Sequence, residues 1–188
     1  MSKRVLVACE CSQVITIAMR INGGIAYSCD LEDCYGGHRE WHIKDDVRNV
    51  MYDNWDLVIA HPPCTYLSKV GAQHLYNGKH TIEQVLAAKE FFMLFTQLEC
   101  PTCIENPIPM KLAGLPRYSQ LICPSQFGHR FTKKTALWLY GLPPLIPMGG
   151  YYVNADSWLN HCNSTMKRRS RFWEGIANAM AAQWLPII

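Results

Sequence analysis

The sequence lacks any long apolar run. No stretch approaches the roughly eighteen consecutive apolar residues that a membrane-spanning helix needs, although 49% of the 188 residues are hydrophobic. Charged residues are also few, at 18%, which argues against a disordered chain. Because this length can bury one core and is short for two, we expect a single domain over residues 1–188.

The sequence also lacks the patterns of a metal site and of an export signal. Its nine cysteines include one CxxC pair, Cys100 and Cys103, without the second pair that a structural zinc site needs. The first apolar run ends at Cys9 and Glu10, with no cleavage site after it. We therefore expect no metal, reduced thiols and a cytoplasmic protein. The net charge of +3 is compatible with a nucleic-acid or nucleotide partner.

What the sequence does contain is an alternation of strand and helix patterns. We predict strands over residues 4–10, 25–29, 56–60, 102–104 and 135–140, and helices over 12–21, 81–97 and 170–184. Residues 34–44, 65–80 and 111–124 are predicted as loops and turns. This alternation indicates an α/β fold with an open, mostly parallel sheet. Ligands bind such sheets beyond the carboxyl ends of the strands.

Polar residues follow four of the predicted strands: Glu10, Asp30, Cys64 and Glu105. A thiolate at Cys64 could attack carbon 6 of cytosine or uracil, which makes carbon 5 nucleophilic. Glu105 could then protonate ring atom N3 if partial burial raises its pKa. The alternative is that Cys64 is an ordinary buried cysteine. His61 either lines this pocket and adjusts the thiol, or simply packs at the strand end.

Short motifs around these residues resemble the DNA (cytosine-5-)methyltransferases. Pro63 and Cys64, with Ser68 four residues on, are similar to the Pro-Cys nucleophile motif, and residues 105–107 to the Glu-Asn-Val motif. The resemblance implies a single Rossmann-like methyltransferase domain that methylates cytosine in DNA. It assigns catalytic roles to Cys64, Glu105 and Asn106. Residues 126–129 and Lys133–Lys134–Thr135 are loosely similar to the Gln-x-Arg-x-Arg segment, which gives Lys134 a catalytic role; otherwise this is a polar loop.

The same resemblance implies S-adenosyl-L-methionine as cofactor. The resemblance places the first cofactor-binding motif at the end of the first strand, and the acidic residue that binds the ribose hydroxyls at the end of the second. The next segment would contact the adenine. A proline and a Gly-Asn motif would make further contacts with the cofactor. The implied residues are Cys9, Glu10, Ser12, Asp30, Leu31, Asp46, Val47, Pro62 and Asn178. The first motif departs from the glycine-rich pattern because residues 9–12 contain no glycine. A different donor, or none, is therefore also open.

The interval for a target-recognition domain is short. Residues 141–167 would form a reduced insert, as in a short phage-type relative. Specificity is then low, or a protein partner or homodimer supplies it, or the substrate is smaller than duplex DNA. A base in duplex DNA must leave the stack to reach Cys64, with residues 65–80 as a lid. The basic run at 167–171 either contacts phosphate or is a solvated face.

Two other functions stay open: one-carbon transfer to a free or single-stranded pyrimidine nucleotide, and a catalytically silent nucleic-acid- or nucleotide-binding module.

Overall fold

The computed structural model describes residues 2–150 and 172–188. Seven strands form one sheet: β1 Arg4–Ala8, β2 Ile25–Asp30, β3 His42–Lys44, β4 Leu57–Ala60, β5 Thr102–Pro107, β6 Gln120–Ile122 and β7 Thr135–Tyr140. The α-helices of the described part are α1 Val14–Ile21, α2 Lys69–Tyr76, α3 Ile82–Leu94 and α4 Glu174–Trp184. Most of the predicted insert and the basic run at 167–171 lie outside the described residues.

The strand order of the sheet is β3-β2-β1-β4-β5-β7-β6. Every pair from β3 to β5 is parallel, whereas β7 runs antiparallel to both β5 and β6. This arrangement confirms the predicted class, a Rossmann-like α/β domain with a mostly parallel open sheet. The chain order reverses between β1 and β4, so a crevice opens beyond the carboxyl ends of these two strands.

Apolar side chains cover both faces of the sheet. Strand β4 and the last four residues of β1 are fully buried, as expected for central parallel strands. Val5 and Val7 contribute to a core with α1 and α4, whereas Leu6 and Ala8 contribute to a second core with residues of α3. Because successive side chains of a strand point to opposite faces of the sheet, one strand contributes to both hydrophobic layers.

Three segments predicted as loops contain regular structure, and these predictions were wrong. Strand β3 lies within residues 34–44, α2 within 65–80 and β6 within 111–124. The two strands have three residues each, which is too short to show a period, and neighbouring strands define them instead. Helix α2 begins after Ser68, whose hydroxyl accepts a hydrogen bond from the Gly71 N–H at 3.4 Å. In contrast, the helix predicted from residue 81 is confirmed as α3, and Thr81 and Gln84 form a capping box at its start.

Helix α4 begins in close contact with the turn at residues 124–129. The Gly175 N–H donates a hydrogen bond to His129 Nε2 at 2.9 Å. Burial lowers the pKa of His129, against the opposing charge of Glu174, and the neutral ring can accept this bond. A Cβ at Gly175 would lie 1.9 Å from the Phe127 carbonyl oxygen. Glycine is therefore required here by the approach of two backbones.

We expect Gly175→Ala to destabilise the protein by about 2–3 kcal/mol, because the new methyl group forces the backbones apart. Urea unfolding followed by circular dichroism measures the change. Asn178→Ala is the matched control, since Asn178 is exposed on the same helix. It should leave stability equal or slightly higher. Equal stability of Gly175→Ala and the wild type would contradict this account of the contact.

Candidate active site

The candidate site lies just beyond the end of β4, beside the last three residues of β5. Ala60 pairs with Ile104 in the parallel register of these strands, so the next residues, His61 and Glu105, are level with each other. The His61 Nδ1 atom lies 2.9 Å from Glu105 Oε2. Both side chains are mostly buried, with 14% and 16% of their surface exposed. The register of the sheet therefore builds a histidine–carboxylate pair.

Glu105 is held on both of its carboxylate oxygens. His61 contacts Oε2 and the Thr135 hydroxyl donates to Oε1. Burial by itself raises the pKa of Glu105, but the bonds from His61 and Thr135 and the charge of Lys133 outweigh it, so the pKa is lowered. The sequence hypothesis requires a raised pKa at this carboxyl, whereas the balance of these contacts lowers it. The neighbours of Glu105 therefore favour its ionised form.

Cys64 begins a tight turn three residues beyond His61. Its carbonyl oxygen accepts hydrogen bonds from the Leu67 and Ser68 N–H groups, at 3.1 and 3.0 Å. The pKa of the thiol is raised, mainly by burial and then by the charge of Glu105, whereas Lys133 lowers it. Cys64 is consequently a thiol that needs a proton acceptor before it can act as a nucleophile.

Asn106 holds the chain in front of Cys64. Its Nδ2 donates to the Pro62 carbonyl oxygen at 2.7 Å, and its side chain is almost fully buried. Asn106 Oδ1 and His61 Nε2 are buried without a hydrogen-bond partner among the described residues; His80 Nδ1 is the third such atom there. Unpartnered buried polar atoms are costly. Two of the three belong to this site, which indicates a place for polar groups of a ligand.

The cation near this site is Lys133. Its charge acts on both Cys64 and Glu105. Lys133 lies two residues ahead of β7 and is half-buried, whereas Lys134 is exposed. The sequence hypothesis assigned the catalytic role to Lys134, but the lysine whose charge acts on Cys64 and Glu105 is Lys133. The neighbouring residues 126–129 are structural, since Gln126 Oε1 accepts the Cys123 N–H at 2.8 Å.

Cys9, Asp30 and Asp46 gather at the other end of the crevice. The pKa of Cys9 is raised by burial and then by the charges of Asp30, Cys29 and Asp46, so the ends of β1 and β2 and the segment after β3 meet. Asp30 Oδ1 accepts the Glu32 N–H at 3.0 Å, which leaves acceptor capacity for other donors. Of the other predicted cofactor residues, Val47 and Pro62 are buried and Leu31 and Asn178 are exposed.

These residues fit the ribose end of S-adenosylmethionine better than its other parts. Asp30 offers carboxylate oxygens to ribose hydroxyls. The carboxylate of Asp46, predicted to hold the adenine, is instead occupied by Arg48, whose Nε lies 2.9 and 3.0 Å from its two oxygens. An adenine would have to displace this ion pair or use other groups nearby.

Glu10 does not face the crevice but caps helix α1. Its carboxylate accepts the Ile15 N–H at 2.8 Å, the Thr16 N–H at 3.3 Å and the Thr16 hydroxyl at 2.7 Å. These bonds satisfy the free N–H groups of the helix and complement its dipole. The predicted role of Glu10 in cofactor binding is thus replaced by a structural one. The N–H groups with which a helix N-terminus can bind an external anion are therefore already bonded to Glu10.

The first turn is shaped without glycine. Cys9 and Gln13 adopt left-handed backbone conformations, with φ of 60° and 58°, which cost an ordinary residue about 1 kcal/mol or more. The buried Gln13 amide offsets this by binding His38: its Nε2 donates to the carbonyl oxygen at 2.7 Å and its Oε1 accepts the N–H at 3.1 Å. A cavity of about 260 Å³ beside this turn is lined by Ser12, Val14, Ile17, Tyr35, Gly36 and Glu174.

Three other features of the described residues bear on function. No cluster of His, Cys, Asp and Glu in this part of the chain could hold a metal ion. All eight cysteines within it are free. None of its helices is both long and apolar enough to cross a membrane.

The fold has counterparts among solved structures. No protein-family profile matches the sequence, and no curated protein does either. One such structure is a protein encoded within a prophage of E. coli, provisionally described as a DNA modification methyltransferase, with a TM-score of 0.48 and 14% identity. The match covers 73% of this chain and 46% of that protein. The chain thus spans less than half of that protein's length, and a likeness this distant does not carry its activity over.

We expect Glu10→Ala to destabilise the protein by about 2 kcal/mol or more, because it removes charged hydrogen bonds and leaves buried N–H groups unsatisfied. Chemical denaturation measures the loss. Asp33→Ala is the control, since Asp33 forms an exposed ion pair with Lys44, and it should cost below about 1 kcal/mol. If Glu10→Ala were as mild as this control, the carboxylate would not be the cap of α1.

Proposed function

We propose that this protein is a transferase acting on carbon 5 of a pyrimidine, and that it methylates cytosine in DNA with S-adenosylmethionine as donor. The observation that supports this most directly is that Cys64 follows the end of β4 while Glu105 lies on the neighbouring strand β5, where its charge acts on the thiol. A thiol and a carboxylate are the two groups needed to add a nucleophile to carbon 6 and to manage the proton at N3.

In this proposal the protein supplies four functions. Cys64 loses its proton and forms a bond to carbon 6, which moves electron density through the ring toward N3. Glu105 meets N3, and Lys133 stabilises the negative charge that develops on the ring. Asn106 fixes the loop that carries Cys64 through Pro62. S-adenosylmethionine would supply the methyl group at carbon 5. Passage of the carbon 5 proton to water and of the N3 proton back to Glu105 would then restore the ring double bond and let Cys64 leave as a thiolate.

We further propose that the segment around α2 meets the nucleic acid. It directly follows the Cys64 turn and carries Tyr76, which is 92% exposed. Tyr66 and His80, which flank α2 in the sequence, pack edge to face with ring centres 4.7 Å apart. An exposed aromatic beside a nucleophile is suited to stack on an unpaired base.

The decisive test is covalent trapping. With S-adenosylmethionine present, we expect oligonucleotides that contain 5-fluorocytosine to form a stable adduct, which mass spectrometry maps to Cys64. The fluorine at carbon 5 cannot leave as a proton, so the thiol stays attached. Cys64→Ala should form no adduct and show no methyl transfer. Cys100→Ser, which changes a half-buried thiol at the opposite end of β5, should behave like the wild type. Unchanged turnover in Cys64→Ala would eliminate the proposal.

The filled N-terminus of α1 favours a second candidate, a silent module that binds nucleic acid or nucleotide without a methyl donor. Because Glu10 occupies the helix N–H groups, the carboxylate of a methionine moiety would need other donors. The two candidates differ in whether S-adenosylmethionine binds at all.

Calorimetric titration with S-adenosylmethionine separates the two candidates. For the methyltransferase we expect micromolar binding that weakens by about tenfold or more in Asp30→Ala, because a charged hydrogen bond to the ribose is lost. Asp33→Ala, a nearby exposed acid, is the control and should bind like the wild type. Absence of heat with the wild type, at concentrations where the fold is intact, would favour the binding module.

A further inference from the structure

The pair formed by His61 and Glu105 has a feature that nucleophilic attack by Cys64 leaves unexplained. The contacts of Glu105 lower its pKa and favour the carboxylate although the group is buried, whereas burial and the charge of Glu105 raise the pKa of Cys64, which must attack as a thiolate. The surroundings therefore favour the proton on the group that must lose it. Among residues 2–150 and 172–188, the charged and titratable groups around the pair are Cys64 on the β4–α2 turn, Lys133 ahead of β7 and Cys103 within β5.

The geometry explains how the carboxylate is kept in this form. His61 Nδ1 lies 2.9 Å from Oε2, and Thr135 donates to Oε1. The ring of Phe172 packs on His61, with ring centres 5.1 Å apart, which fixes the imidazole. Each carboxylate oxygen has a second lone pair, so Glu105 can still accept one proton while both neighbours stay bonded.

We propose that His61 is a positioning residue that holds Glu105 as the acceptor of the Cys64 proton, and that Glu105 passes this proton to ring atom N3. This inference rests on the proposed function. The S–H bond breaks and its proton moves to Glu105. The sulfur forms a bond to carbon 6, the ring electrons shift toward N3, and N3 takes the proton from Glu105. The carboxylate is restored, and no outside acid or base is consumed.

The role of His61 follows from what its removal would do. Without a donor at Oε2, a buried carboxylate becomes easier to protonate. A neutral Glu105 could not accept the thiol proton, and it would no longer raise the pKa of Cys64. Loss of His61 should therefore make the thiol more acidic and the reaction slower. A residue that serves only packing would not move these two quantities in opposite directions.

The test is a double-mutant cycle on thiol reactivity, which needs no substrate. The rate of Cys64 alkylation by iodoacetamide is measured against pH by peptide mass spectrometry. We expect His61→Ala and Glu105→Gln each to lower the midpoint by about one pH unit, which means about tenfold more thiolate below the midpoint. The double variant should match Glu105→Gln alone. Better access to the thiol would raise the plateau rate without moving the midpoint.

Two further variants serve as controls for this experiment. In His61→Asn an amide N–H replaces the ring N–H, and the midpoint should stay near that of the wild type. His38→Ala removes the partner of Glu40 from an exposed pair 3.3 Å apart and should change nothing. An unmoved midpoint in a folded His61→Ala protein, or additive shifts in the double variant, would overturn the proposal.

Methyl transfer provides the second readout. We expect kcat of His61→Ala to fall by about 100-fold with KM nearly unchanged, and His61→Asn to recover part of the loss. If the protein transfers no methyl group, the proposed function fails while the alkylation cycle still reports whether His61 acts through Glu105. Full activity of His61→Ala would overturn the inference and leave the proposed function standing.

Discussion

The parallel register of β4 and β5 is the constraint on which the site depends. It sets Ala60 against Ile104, and every functional contact beyond the strands follows from that pairing. His61 and Glu105 meet because each is the next residue, and Asn106 can reach back to Pro62 for the same reason. A slip of one residue would turn each side chain to the opposite face. The hydrophobic layers on both faces of the sheet therefore also fix the chemistry at its edge.

The first turn solves a common problem of such sheets by an unusual means. The chain must leave β1 sharply and start a helix, which glycine residues usually permit. Here two residues with side chains take the left-handed conformations, and internal hydrogen bonds compensate through Gln13 and Glu10. The turn is thereby rigid and self-contained. This rigidity gives the end of the crevice a fixed shape. Because Glu10 already binds the N–H groups at the start of α1, fewer hydrogen-bond donors are left there for a ligand.

Much of the fold could be predicted because the long buried elements carry strong patterns. Strands β1, β4 and β7 and helices α1 and α3 were located from their strand and helix patterns in the sequence. Strands β3 and β6 were missed because they have three residues each and are defined by their partners in the sheet. Helix α2 was missed because its signals, a serine cap and weak periodicity, lie among loop-forming residues.

The candidate site was predicted in part, for a related reason. Residues directly after strands, such as Cys64, Glu105 and Asp30, could be assigned to one edge from chain order alone. The direction of the pKa shift of Glu105 could not be predicted from the sequence, because it depends on His61, Thr135 and Lys133, which only the fold brings together. Glu10 was misassigned because a carboxylate after a strand looks the same in sequence whether it meets a ligand or a helix.

The reversed direction of β7 has a consequence for how such a site can change over time. The parallel strands deliver their functional residues as the chain leaves the sheet, whereas Lys133 and Thr135 arrive as the chain enters it. The cation and the hydroxyl therefore come from a connection separate from the ones that carry the thiol and the carboxylate. That incoming connection can lengthen, shorten or diversify without altering the strand ends, because loops tolerate insertion better than sheets do. The thiol and the carboxylate can therefore stay unchanged while the connection that carries the cation and the hydroxyl varies.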